Sequence, residues 1–183
     1  RKTIHFLLSC NIGEILVVFA AFLLQAPTPL LAIQLLWVNL VTDSLPALAL
    51  GAEPIPRDVM EEPPHPRNES VFSGGMGLSV ALEGCLVGAL ALVAYTIGRV
   101  WFDPNPMEPV IGRTMAFGVL SLSQLVHSYN MRSQGSVLEL GIFSNTKLNW
   151  ACGICAFLMV SVILFPPLAA VFRTAALTPL QWA

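Results

Sequence analysis

Charge is scarce in this chain. Only 11% of its 183 residues are Asp, Glu, Lys or Arg, and the formal net charge is −2. Without a basic stripe, no nucleic-acid partner is expected. Cysteine is scarce too, and Cys10, Cys85, Cys152 and Cys155 all fall within apolar segments, unlike a secreted disulfide framework. Cys152 and Cys155 have the spacing of a zinc pair, but no second pair stands nearby, so both read as small buried helix residues. An uninterrupted signal-peptide core is missing as well. The opening "RKTIHFLLSCNIGE" lacks Met and is broken by polar residues, which reads as a piece of a longer chain.

What the chain has in quantity is apolar surface: 55% of residues are hydrophobic and the mean hydropathy is +0.72. Charges gather in short stretches and leave apolar runs of about 20 residues, long enough to cross a bilayer at about 1.5 Å per residue. The fold class expected is an all-α polytopic membrane protein. Spans are expected near 4–24, 30–50, 76–98, 112–131 and 148–165, with "QAPTP" forming a tight turn between the first two. The polar, proline-rich stretch 51–75 reads as a semi-rigid loop. Arg1, Lys2, Arg57, Arg67, Arg132 and Lys147 fall on one side, and Arg99, Arg113 and Arg173 on the other. That bias places the N-terminus and the 51–75 loop in the cytoplasm. The Asn68-Glu69-Ser70 sequon would then lie in the wrong compartment for glycosylation.

Several spans carry groups that a lipid-facing helix avoids. Asn11 and Glu14 share a face of the first span, and Asn39, Thr42 and Asp43 stand at i, i+3 and i+4 in the second. A charge at mid-bilayer costs about 2.5–3.5 kcal/mol on insertion scales, so such groups face a partner, a cavity or an ion. The short turn makes these spans antiparallel neighbours, and their polar faces can meet. Five oxygen-bearing side chains with two carboxylates suit a hard divalent cation, which takes about six to eight oxygens. Soft-metal ligands are absent from the set, which argues against zinc or copper as cargo. Pro46 lacks an N–H and its ring crowds the carbonyl of Thr42, so a helix break is expected at the polar cluster. The competing reading is a polar knot in which Asn and Thr bond between helices. In the fourth span Gln124, His127 and Ser128 share a face and read first as interhelical hydrogen-bonders. Glu83 is a lone acid in the third, with a proton, structural or snorkelling role open, and Gly84 and Gly88 after it permit close helix contact.

These residues resemble the C-terminal half of the transport domain of type II P-type ATPases, the calcium-pump branch in particular. "NIGE" at 11–14 is similar to that family's fifth-helix motif, and "LLWVNLVTDSLPALALGAEP" at 35–54 to its sixth helix. "DVMEEPPHPRNESVFSGG" resembles the cytoplasmic loop that follows, and "TPLQW" at 178–182 the entry to the tenth helix. The resemblance implies a bundle equivalent to transmembrane helices 5–9 plus the start of helix 10. It implies Asn11, Glu14, Asn39, Thr42 and Asp43 as ion ligands, Gln124 and Glu83 as accessory groups, and transport of Ca²⁺ driven through an aspartyl-phosphate. Mn²⁺ suits the same oxygen cage. Gln124 stands where the reticulum-type pump has glutamate, which implies one ion per ATP through a single site on Asn39 and Asp43. Asn11, Glu14 and Thr42 would then be partly vestigial ligands or proton carriers in counter-transport. The Asp-Lys-Thr-Gly-type phosphorylation motif does not occur here. ATP and Mg²⁺ are therefore expected to act only through domains outside this chain, which by itself cannot hydrolyse ATP. Its expected partners are the lipid bilayer, helices 1–4 and 10, and the cytoplasmic domains of the parent, where the 51–75 loop couples phosphorylation to the ion site. Short loops point to a prokaryotic plasma membrane. Two other classes remain: a passive cation channel, though no internal repeat supports a symmetric pore, and a membrane assembly module without transport.

Overall fold

The computed structural model describes residues 2–52, 75–132 and 145–182, and among them every regular element is a helix. Helix α1 covers Lys2–Leu23, α2 Ala32–Gly51 and α3 Met76–Phe102. Helix α4 covers Val110–Asn130, α5 Thr146–Leu164, and the short α6 and α7 cover Pro166–Phe172 and Pro179–Trp182. Most of the 51–75 loop, the Asn68 sequon and the 133–144 link lie outside the described residues.

Local chemistry sets the helix ends. Gln25 adopts a left-handed φ of 51° two residues after α1 stops, and Pro27 and Pro29 prevent the helix from resuming. Gln34 reaches back with Oε1 to accept the Leu31 N–H at 3.0 Å, which starts α2. Asp103 and Phe165 each precede a proline and are extended, with ψ of 128° and 113°, closing α3 and α5. The Asp103 carboxylate accepts the N–H groups of Ile111 and Gly112 at 2.9 and 2.7 Å, capping the first turn of α4. Asn145 does the same for α5 through Leu148 at 3.0 Å.

Helices α1 and α3 run parallel and packed together, while α2 and α4 run antiparallel to them. Glycine sets the spacing of the α1–α3 pair. A Cβ on Gly84 would lie 2.6 Å from Cγ2 of Ile12 and 2.9 Å from the Ser9 carbonyl, and one on Gly88 would lie 3.0 Å from the Gly13 carbonyl. The sequence pattern is thus used as a close crossing. Two apolar clusters fill the bundle. One holds Val17, Val38, Leu120 and Met159, and the other Cys10, Ala47, Leu125 and Cys155. On each helix the first group lies on one side of the Glu14–Gln124 level and the second on the other, so a polar layer lies between them.

The outer surface is apolar: Phe19, Phe22, Leu40, Leu86, Trp101 and Phe157 are all exposed. A surface of that kind belongs in lipid, where helices satisfy their own backbone groups. Among the described residues, four helices, α1, α2, α3 and α5, are long and apolar enough to cross a membrane. Helix α4 has the length but a more polar composition, and eleven of its 21 residues are buried, including Thr114, Ser121, Gln124, His127 and Ser128. Its polar side chains are tolerated because they face neighbouring helices.

The break expected at Pro46 does not occur. Helix α2 is continuous from Ala32 to Gly51, and its backbone instead widens to π pitch over Val38–Asp43. Proline removes one donor and crowds the carbonyl of Thr42, and the wider turn just ahead of it makes room. The Ser44 hydroxyl donates to the Asn39 carbonyl at 3.0 Å, satisfying one oxygen in the widened turn.

Candidate cation site

Three helices meet at Glu14. The side chain is 6% exposed, and its two oxygens are held by different amides. Asn39 Nδ2 of α2 donates to Oε2 at 2.6 Å, and Gln124 Nε2 of α4 donates to Oε1 at 3.1 Å. The Asn39 amide also donates to the Leu35 carbonyl at 3.0 Å, which pins it to its own helix. Asp43, at the end of the π turn, is 1% exposed, and neither of its oxygens has a hydrogen-bond partner of ordinary geometry. Thr42 Oγ1 and Gln124 Oε1 are buried and unpartnered too. Buried polar atoms are met by partners in the great majority of proteins, and each exception calls for water, an ion or a function. Here four such oxygens come from three side chains on two adjoining helices.

The donor set fits a hard cation. Both groups that hold Glu14 are neutral amides, so neither would compensate the charge of an ionised carboxylate there. Among the described residues no three His, Cys, Asp or Glu side chains converge as a metal-binding group. A cation here would draw on amide and hydroxyl oxygens beside the carboxylates, as Ca²⁺ does. One expectation about softness needs correcting: the Cys10 thiol of α1 lies beside Asp43. The side chains of α1 turn about 100° per residue, which brings position 10 toward α2. Glu14 also lines an open apolar groove with Ile15, Val18, Phe19, Phe22 and Leu35.

Other expected site residues sit elsewhere. Asn11 is exposed, and its amide donates to the Leu7 carbonyl of its own helix at 2.7 Å. It does not join Glu14, because an amide in a helix can bond back one turn instead of across to a neighbour. Pro46 is buried in α2 one turn past the site. Ser128 donates to the Leu125 carbonyl at 2.6 Å.

Glu83 is not a lone acid. Its Oε2 lies 2.7 Å from His5 Nε2 and accepts the Ser9 hydroxyl at 2.9 Å. His127 Nε2 approaches the same oxygen at 3.5 Å, beyond good hydrogen-bond geometry. Sequence reasoning passed over His5 and Ser9. Their i, i+4 spacing put them on one helical face, but their carboxylate partner lies more than 70 residues away.

A helical membrane protein with uncompensated carboxylates at the centre of its bundle is the class these observations define. Residues 27–183 match the family model described as "Cation transporting ATPase, C-terminus", and the chain belongs to that family. It is 45% identical to calcium-transporting ATPase 1 of Bacillus cereus over 100% of this chain and 22% of that protein. It is 43% identical to the calcium-transporting ATPase of Bacillus subtilis over 100% and 20%. Against calcium-transporting ATPase type 2C member 1 of Homo sapiens the values are 32% over 99% and 19%. The chain thus spans about a fifth of the length of the curated relatives it matches.

Proposed function

We propose that this chain is the ion-binding and translocating part of an ATP-driven calcium pump of the P type, moving one Ca²⁺ per ATP with protons in return. The observation that carries the reading is Asp43, a fully buried carboxylate with no oxygen or nitrogen donor on either oxygen and only the Cys10 thiol beside it. Thr42 Oγ1 and Gln124 Oε1 add neutral oxygens, and Asn39 and Gln124 both hold Glu14. An acid kept in this condition inside an apolar bundle is costly unless a cation or a proton neutralises it. Since both oxygens of Glu14 already accept amide donors, Asp43 is the carboxylate free to bind. That favours one ion over two.

In this reading α1 to α5 correspond to helices 5–9 of the parent and all five cross the bilayer, with α7 opening helix 10. The Lys2 end and the 51–75 loop face the cytoplasm of a prokaryotic cell. The groove beside Glu14 receives a helix from the N-terminal half of the parent, and ATP and Mg²⁺ act through its cytoplasmic domains. The calcium-transporting relatives support Ca²⁺ as cargo, and Mn²⁺ is the closest competitor.

The test is ATPase activity of the reconstituted full-length parent against Ca²⁺, Mn²⁺, Mg²⁺, Na⁺ and K⁺, with a folded Asp43→Asn variant beside it. Micromolar Ca²⁺ should stimulate the parent and not the variant. A variant that responds to Ca²⁺ like the parent removes the site, and activation by another ion alone removes the cargo.

A further inference from the structure

We propose that Cys155 of α5 is a positioning residue for the cation site: its thiol holds the Val41 carbonyl, and with it the widened turn of α2 that presents Asp43. The inference rests on the cation-pump reading. It gives a task to the Cys152-Gly153-Ile154-Cys155 pair, which that reading leaves unused.

The two thiols stand three residues apart on α5 and share a face of it, but they meet different helices. Cys152 Sγ lies 3.4 Å from Ser128 Oγ of α4. The single hydroxyl proton of Ser128 goes to the Leu125 carbonyl, so the thiol is the donor in that contact. About one turn earlier on α5, Asn149 Oδ1 accepts the Tyr129 hydroxyl of α4 at 3.0 Å. Helix α5 is therefore tied to α4 at two successive turns. Cys155 is fully buried, and its Sγ donates instead to α2, to the Val41 carbonyl at 3.3 Å.

Val41 lies inside the π turn Val38–Asp43, two residues before Asp43. At π pitch a carbonyl bonds to the N–H five residues on. For residue 41 that position is Pro46, which has no N–H to give. The Ser44 N–H reaches the Val41 carbonyl from three residues on, and Cys155 supplies a donor from outside the helix. The Asn39 carbonyl of the same turn is met in a comparable way by the Ser44 hydroxyl. Side-chain donors thus stand in where the regular ladder is disturbed, as a buried backbone oxygen requires.

The surroundings keep the thiol in place. Val41, Leu45 and Leu50 of α2 belong to one apolar cluster with Ala151 and Cys155 of α5. The Asp43 carboxylate is near enough to act electrostatically on the Cys155 thiol, although neither of its oxygens has a conventional partner. A thiol is a weak donor, so this bond matters for direction more than for stability. It fixes one carbonyl, and through it the backbone that carries Thr42 and Asp43. Because α5 is tied to α4, and Gln124 of α4 holds Glu14, Cys155 sets one carboxylate of the site against the helix that orients the other.

The experiment uses the reconstituted full-length pump with Cys155→Ala, Cys155→Ser and, as a cavity control, Val162→Ala. Val162 is buried in the other apolar cluster, about 10 Å along α5 from Cys155. Cys155→Ala should raise the Ca²⁺ concentration for half-maximal ATPase activity by about three- to tenfold, the span of a neutral hydrogen bond. Cys155→Ser keeps a donor and should stay within about twofold of the parent. Val162→Ala should lower the unfolding temperature in Ca²⁺-free detergent, as Cys155→Ala does, yet keep Ca²⁺ activation within about twofold. Parental Ca²⁺ activation in Cys155→Ala overturns the proposal, and so does an equal shift in Cys155→Ser or in Val162→Ala. Each of these leaves the pump reading intact when the parent responds to Ca²⁺ and Asp43→Asn does not. A parent without Ca²⁺-stimulated ATPase, or an Asp43→Asn variant that responds like the parent, overturns both. Should Cys155→Ala fail to fold, Cys155→Val, which fills the space without a donor, takes its place against Cys155→Ser.

Discussion

Glu83 and Asp43 are acids in one bundle with opposite company. Glu83 is partly exposed and touches two imidazoles and a hydroxyl. Asp43 is sealed from solvent, with a thiol beside it and no conventional donor on either oxygen. Glu14 stands between these extremes, buried but held by two amides. The difference teaches what each acid is equipped for. Imidazole can exchange a proton with a carboxylate, an amide can only orient one, and an unpartnered carboxylate has its lone pairs free for a cation. The company of a buried acid thus says more about its task than its depth does.

The comparison can be broken most directly at Asp43. Asp43→Asn in the full-length parent should weaken Ca²⁺ activation by about a hundredfold or more, about 3 kcal/mol, measured as the concentration for half-maximal ATPase activity. The Glu83 side of the comparison depends on the α1–α3 crossing. Gly84→Val would drive a side chain into Ile12 and the Ser9 carbonyl. It should destabilise the protein by about 2–3 kcal/mol, read as earlier thermal unfolding in detergent. Gln124→Leu leaves Oε1 of Glu14 without its donor, and should weaken Ca²⁺ activation by about tenfold, in line with a lost hydrogen bond to a charged group. Asn11→Ala should change neither affinity nor stability by more than about 0.5 kcal/mol, because its amide bonds only to its own helix. A large loss of affinity in Asn11→Ala would put Asn11 among the ligands and blur the line between the two regions.

Much of this was legible in the residues. Apolar run length gave the positions of the helices, and polar residues at mid-run marked Glu14, Asn39 and Asp43 before any contact was known. Two kinds of information were not. Spacing assumes a helix of constant pitch, and α2 departs from it over Val38–Asp43, so the expected break at Pro46 was the wrong form of a correctly located irregularity. Spacing also says nothing of choice. Asn11 and Asn39 are the same residue type on adjoining helices and both bond back one turn, to Leu7 and Leu35, yet only Asn39 also reaches across to Glu14. That choice follows from which neighbour lies within reach. The cluster on Glu83 was hidden for a related reason, since it joins α1, α3 and α4 across separations that no local pattern records.

The widened turn in α2 has a mechanical consequence. A helix at α pitch turns about 100° for each residue, whereas a π turn holds one residue more in each winding. If α2 tightened to α pitch between Val38 and Asp43, everything beyond would rotate by about that angle relative to what precedes it. Asp43 and Asn39, which straddle the turn, would no longer address the same space, and the Ser44–Asn39 bond would have to open. The helix therefore stores a rotation in its own backbone, and a carboxylate can be swung toward or away from its neighbours without unfolding a single turn on either side.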